Sequence, residues 1–341
     1  MALLRELAKK YRVVSVVGMA KNAGKTTALN YLIAEAADGS PRLGITSTGR
    51  DGESVDVVTR TAKPKIFLED GTLVTVPTGL YGLAEAGLEI LRMTECFTAL
   101  GQILLCRVAD SGNVQVAGPV RVEDQIRLNA EMLRTGAEMI LIDGAVDRRS
   151  IASPEASDAI ILSTGAALSR SIAAVAAETG YLAELYGLPE LEDAWVRTEI
   201  EKNAGAERIL TFGEGRVRAP DVKTGLAAGR FIGEELRPGT DYLYLPGALT
   251  KGMLSDLPPK ALQNTAFVVA DPTKIFLDRN TWRRLRGKGL RVFLRNSVKI
   301  AAVTVNPCSP EGYAFDSEAL AGAVREAVGG GIPVIDVMRG G

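Results

Sequence analysis

The sequence predicts an α/β fold: a parallel sheet carrying an antiparallel hairpin insertion, followed by a second, smaller α/β domain. Three observations predict it. Short apolar runs such as Val13–Val17 (VVSVV) and Met139–Ile142 (MILI) show little alternation, the pattern of strands buried on both faces of a parallel sheet. Stretches of helical length separate these runs, giving the strand–helix order of parallel α/β layers. The chain has 341 residues, more than one core comfortably holds, so length points to about two domains.

Residues 1–12 read as a short amphipathic helix, and Val13–Val17 as the first buried strand. A glycine-containing loop, Gly18–Thr27, leads into a helix over Thr26–Ala37, and Leu43–Thr46 is a second strand followed by the polar segment Ser47–Glu53. Two hairpins are predicted next: Ile66–Leu68 with Thr72–Val76 around Asp70-Gly71, and Leu104–Val108 with Val114–Ala117 around Ser111-Gly112. A helix is expected between them at Ala84–Arg92. Then come a helix at Glu123–Thr135, strands at Met139–Ile142 and Ala159–Leu162, and a helix from about Ser169 to Leu185. The Pro- and Glu-bearing stretch Gly187–Asp193 marks the expected boundary. It separates a first domain over 1–186, with its insertion at about 62–120, from a second over 194–341, where strands and helices again alternate.

Composition excludes several functions. Lys and Arg number 40 against 41 acidic residues, so no net charge recruits a polyanion and nucleic acid is not an expected partner. The longest apolar stretches are too short to span a bilayer, and the N-terminus has no cleavable apolar region, so neither a membrane partner nor secretion is expected. Three scattered cysteines suit a reducing, cytoplasmic compartment. The count of zero histidines removes Ser-His and Cys-His dyads, an imidazole base and histidine-ligated metals, leaving carboxylates, lysines, arginines, hydroxyls and metal–phosphate electrostatics.

The residues with chemistry to offer start at Gly18-Met19-Ala20-Lys21-Asn22-Ala23-Gly24-Lys25-Thr26-Thr27, between a buried strand and a helix start. That is the context of a phosphate-binding loop: backbone N–H groups and the positive end of the helix dipole meet the phosphates. Lys25 is expected to neutralise the β- and γ-phosphates and the Thr26 hydroxyl to bind Mg²⁺, while Gly18, Lys21, Asn22, Ala23, Gly24 and Thr27 complete the nucleotide-binding set. Five residues separate Gly18 from Gly24 instead of the usual four, which puts Met19 at the first-glycine position. Met139–Asp143 is a Walker-B-like strand whose terminal Asp143 would face the Mg²⁺ water shell. In Ser47–Glu53, Asp51 either holds Mg²⁺ or polarises water, or belongs to a solvated turn. The expected catalytic residues are thus Lys25, Asp51 and Asp143, and the expected metal ligands Thr26, Asp51 and Asp143. Asp147-Arg148-Arg149 reads more as a solvated charge cluster than as guanidinium aimed at phosphate, and Asn306-Pro307-Cys308, closing a strand, more as a turn than as a contact to a base edge. Cys308 has no histidine to activate it as a nucleophile, and Asp271–Lys274 reads as loop chemistry, though it could face a ligand cleft.

These motifs resemble P-loop NTPases of the group containing MinD-like ATPases, nitrogenase iron proteins, dethiobiotin synthetase and metal-insertion GTPases, which implies a P-loop NTPase-like parallel sheet. Many of those proteins carry an extra lysine near the first glycine; Lys21 sits one residue later than that pattern requires. The guanine-reading Asn-Lys-x-Asp motif is missing from the sequence, which tilts the cofactors to ATP with Mg²⁺. The phrases GMAKNAGKTTALNYL, TSTGRDGE, LIDGAVDRRS, ILSTGAA and AVTVNPCSPEGYAFD are similar to the accessory subunit of the reactivase for adenosylcobalamin-dependent lysine or ornithine aminomutases. That resemblance implies an ATPase switch working with a MutS-like ATPase and the aminomutase as partners. Two other readings stand beside it: a carboxylate-activating ligase resembling dethiobiotin synthetase, and a nucleotide-binding module with little hydrolysis.

Overall fold

The computed structural model describes residues 3–37, 40–48, 66–144, 155–203, 208–220, 236, 239–255, 257 and 259–338. The chain divides into two compact units, residues 1–180 with 299–341, and residues 181–298.

The first unit is built on a mixed sheet. Among the described residues it has nine strands in the order β18-β17-β9-β1-β8-β2-β4-β6-β5. Here β1 is Val13–Gly18, β2 Leu43–Ser47, β4 Leu73–Pro77, β5 Gly87–Thr98, β6 Gly101–Asp110, β8 Met139–Asp143, β9 Ala159–Gly165, β17 Lys299–Asn306 and β18 Val334–Asp336. From β18 to β4 every pairing is parallel; β6 and β5 add an antiparallel edge. Burial follows the apolar runs. In β8, Met139 and Leu141 enter one core cluster with Leu29 and Leu32 of helix α2 (Lys25–Ala34). Ile140 and Ile142 enter another with Leu128 and Met132 of helix α4 (Val122–Thr135). A strand with both faces committed in this way has no register freedom, because a one-residue slip would exchange the two sets.

The second unit carries its own sheet, in the order β11-β10-β12-β14-β16 among the described residues: Arg216–Arg218, Leu210–Gly213, Tyr242–Leu245, Ala266–Val269 and Arg291–Leu294. The last three are parallel, and the fully buried Trp282 anchors one covering helix, Arg279–Gly287. The other face holds Val196 and Ile200 of the helix Ala194–Lys202.

Three expectations differ from what is observed. The second domain was expected over 194–341, but residues 299–341 return to the first sheet, where β17 lies between β9 and β18. Apolar patterning identifies a strand without saying which sheet it joins. Nor do the expected hairpins form. Strand β3 (Ile66–Leu68) pairs antiparallel with β7 (Gly112–Val114), while the wholly buried β4 lies between β2 and β6 in the main sheet. Gly71, at φ 82°, does make the tight turn that Asp-Gly announces, but the flanking strands part after it. Finally, the helix expected at Ala84–Arg92 is instead the start of β5, a long edge strand whose pairing with β6 overrides local helix propensity.

Candidate functional site

Parallel α/β sheets bind ligands at the carboxyl ends of their strands. In the first unit, β1 ends there at Gly18, β8 at Asp143, β9 at Gly165 and β17 at Asn306.

The loop after β1 is anchored at its first residue. The Met19 amide donates to Ser163 O at 2.8 Å, and the Thr179 hydroxyl lies 3.4 Å from Met19 Sδ and donates to Val175 O at 2.7 Å. Met19 at the usual glycine position is therefore accommodated by packing onto a buried threonine. Asn22 follows in a left-handed conformation, φ 63°, and Gly24 in another, φ 92°, as the N-cap of α2. No side chain caps that helix end, so the first-turn amides are left for something other than the protein's own side chains. The Ala23 amide, by contrast, donates to Ala20 O at 3.2 Å. Lys21 and Asn22 are exposed, Ala23 is buried, and Gly24 through Thr27 are partly buried.

Glycine is required at position 24 on two grounds. A side chain there would be strained by the positive φ, and a Cβ would stand 2.8 Å from Asn306 Cβ. The strand reading of the sequence treated Asn306-Pro307-Cys308 as a turn, and the Asn306 carboxamide oxygen does accept from the Cys308 amide at 3.0 Å. It also packs on the loop, however, and its carbonyl accepts from the Ala166 amide at 2.9 Å, over a Gly165 that leaves no room for a Cβ. The signal that could have found it was the polar Asn directly after an apolar strand, weighed against the loop instead of alone.

Adjacent strands bring the two charged residues together. Val16 of β1 lies opposite Asp143 of β8, and Lys25 opens the helix that follows β1. Lys25 Nζ is 2.7 Å from Asp143 Oδ1 and donates to Gly144 O at 2.7 Å, with the two side chains only 23% and 22% exposed. Asp143 Oδ1 is itself out of solvent and has no hydrogen bond of normal geometry. The ammonium is its charge partner by distance, while its aligned hydrogen bond goes to the Gly144 carbonyl. The Asp143 carbonyl is fixed in turn by the Thr48 amide at 3.2 Å and the Ser47 hydroxyl at 3.1 Å.

No family model, curated protein or solved structure matches this chain. What the site can do rests on its own residues. Lys25, Thr26, Thr27 and Gly24 stand at one helix end, Gly18 at the strand exit beneath them, and Asp143 beside Lys25. Asp51 and Asp147-Arg148-Arg149 lie outside the described residues. No helix among the described residues is long and apolar enough to cross a membrane.

Proposed function

We propose that the first unit binds ATP with Mg²⁺ at this strand-end site and uses binding and hydrolysis as a conformational switch on a protein partner. The observation that carries the reading is the Lys25–Asp143 pair, 2.7 Å apart at the start of an uncapped helix. A triphosphate with its metal needs a cation for the phosphate oxygens and a carboxylate for the metal side, and these two residues supply one of each. The buried, hydrogen-bond-free Asp143 Oδ1 fits a metal-water ligand, and the glycine at position 24 keeps side-chain bulk off the helix end.

In this reading the amides of Gly24, Lys25, Thr26 and Thr27 and the Lys25 ammonium hold phosphate, while the Thr26 hydroxyl and Asp143 hold the metal. Mg²⁺ contributes charge neutralisation at the transferring phosphoryl group. The residues 47–48 are hydrogen-bonded to the Asp143 carbonyl, so the segment beginning there, which includes Asp51, is the part of the chain that a change at Asp143 reaches first. Similarity of the quoted phrases to the aminomutase reactivase subunit supports a MutS-like ATPase and a cobalamin-dependent aminomutase as partners.

The test is steady-state phosphate release from Mg-ATP by the whole chain, alone, with the two partner proteins, and with a panel of small carboxylic acids. The expected result is slow turnover alone that rises with the proteins and falls far more than ATP affinity in Asp143→Asn. Turnover triggered by a small acid and not by protein replaces the switch with a carboxylate-activating ligase. Failure of ATP to bind removes the reading altogether.

A further inference from the structure

The second unit carries an uncompensated basic ridge. Of the twenty residues from Arg279 to Val298, seven are Arg or Lys and none is Asp or Glu, in a chain whose net charge is -1. Arg283, Arg284, Arg286, Lys288 and Arg291 are all exposed, on the helix Arg279–Gly287, the turn after it and the first residue of the edge strand β16. Ion pairs elsewhere in this unit hold Arg197 to Glu190 at 3.7 Å and Lys202 to Glu199 at 2.7 Å, but none involves these five among the described residues.

The ridge is also partly pre-set. Arg286 stacks with its Cζ 5.7 Å from the Trp282 ring centre and donates to Leu290 O at 3.0 Å, and Arg291 donates to Asn264 O at 3.0 Å. Cations at a helix C-terminus favourably meet the dipole, which accounts for Arg284 and Arg286 in the last turn. It does not account for Arg291 on a strand or for the absence of any acidic residue over the whole stretch.

We propose that this ridge is a docking surface for a short acidic segment of a partner protein. Arginine predominates over lysine here, and a guanidinium fork pairs with carboxylates in a fixed, two-pronged geometry. A nucleic acid fits less well on three counts. The helix of nine residues is only about 14 Å long at 1.5 Å per residue, room for few phosphates. The segment offers no exposed ring for base stacking, since Trp282 is fully buried and Phe293 packs against the core. A long polyanion also meets the field of the whole, slightly acidic chain, whereas a short acidic segment meets only the ridge. An anionic membrane fits less well again, because the apolar side of the helix, with Trp282 and Leu285, is spent on the unit's own core. The inference stands independently of the nucleotide reading, since it uses no residue of the first unit.

The probe is a short fluorescein-labelled oligoglutamate peptide, titrated with the full chain at about 0.15 M salt, where unspecific long-range attraction is screened. A single-stranded oligonucleotide of equal charge and phosphatidylserine vesicles run beside it. Saturable binding of the peptide is expected, weakened at least tenfold in Arg283→Glu/Arg284→Glu/Lys288→Glu. The charge-matched control Arg197→Glu/Lys202→Glu/Arg218→Glu, three reversals in the same unit away from the ridge, should bind as the wild type does. The milder Arg283→Gln/Arg284→Gln keeps the test open if charge reversal disturbs folding, and Trp282 fluorescence reports that. No peptide binding, equal loss in ridge and control variants, or tighter binding of the oligonucleotide or the vesicles each overturns the proposal.

Discussion

Replacing Lys25 by Met should reveal the pair with Asp143 as an energetic unit and not merely a short distance. Removing the ammonium leaves Asp143 Oδ1 out of solvent with neither a hydrogen bond nor a cation. Breaking a fully buried pair costs about 3–5 kcal/mol, and an exposed pair contributes about 0.2–1. Side chains that are 23% and 22% exposed fall between, nearer the buried limit, so Lys25→Met should destabilise the first unit by about 2–3 kcal/mol. Asp143→Asn removes the charge along with the need for a partner and should cost about 1–2 kcal/mol. The double variant should then fall short of the sum by about 1–2 kcal/mol, the signature of two residues in one network. The assay is urea unfolding followed by far-UV circular dichroism. Both tryptophans, Trp195 and Trp282, belong to the second unit, so their fluorescence gives an internal control that none of these variants should move. Adding Mg-ATP at a hundredfold excess over its dissociation constant should stabilise the wild type by about 2.7 kcal/mol and Lys25→Met not at all. Additivity within about 0.5 kcal/mol refutes the coupling, and equal stabilisation of both proteins by nucleotide refutes the phosphate role of Lys25.

Gly24→Ala should destabilise by about 2–4 kcal/mol, combining left-handed backbone strain with the clash against Asn306, and should be seen in the same unfolding assay; a change below about 0.5 kcal/mol would show that the loop has room. Cysteine accessibility gives a second check. Burial pushes the Cys106 thiol up to about 11, so at pH 8 its reactive thiolate is scarce, and mass spectrometry after brief iodoacetamide treatment should find Cys308 alkylated and Cys106 intact until urea is added. Mg-ATP should slow the labelling of Cys308, which follows closely on the Asn306 packed against Gly24; labelling unchanged by nucleotide would remove Asn306 from the site.

The buried strands were legible in the sequence and their pairing was not. The strands Val13–Gly18 and Met139–Asp143 announce themselves because a run of apolar residues without alternation can be satisfied only between two covered faces. The break between Val13–Gly18 and the helix Lys25–Ala34 is legible too, because glycines at both ends of a short polar segment stop a strand before a helical stretch. The pairing of β3 with β7 joins residues about forty-five apart and depends on no local signal. The length of β5 was hidden for the same reason. Three register shifts along its pairing with β6 break the simple alternation that betrays a strand, and bulges of this kind protect an edge from unwanted pairing. Asn306 was missed because its significance lies in a contact with Gly24, not in its own neighbours along the chain.

The misplaced domain boundary and the missed Asn306 have one cause. The second unit is an insertion: the chain leaves the first unit within the helix Ile172–Tyr186 and returns at β17. Both connecting elements touch the loop after β1, the helix through Thr179 at Met19 and the strand through Asn306 at Gly24. Reading along the chain assigns everything after the last familiar helix to a new domain, because nothing in an apolar strand such as Ile300–Val305 records that its neighbour lies far upstream at Ala159–Gly165. The same topology has a mechanical consequence. A Cβ at Gly24 or at Gly165 would run into Asn306 at the end of β17, so the room for the loop depends on that strand as well as on the strand–loop–helix segment. It is set jointly by the N-terminal loop and by the strand through which the chain re-enters from the second unit. The loop after β1 thus packs against both elements through which the chain leaves and re-enters the first unit.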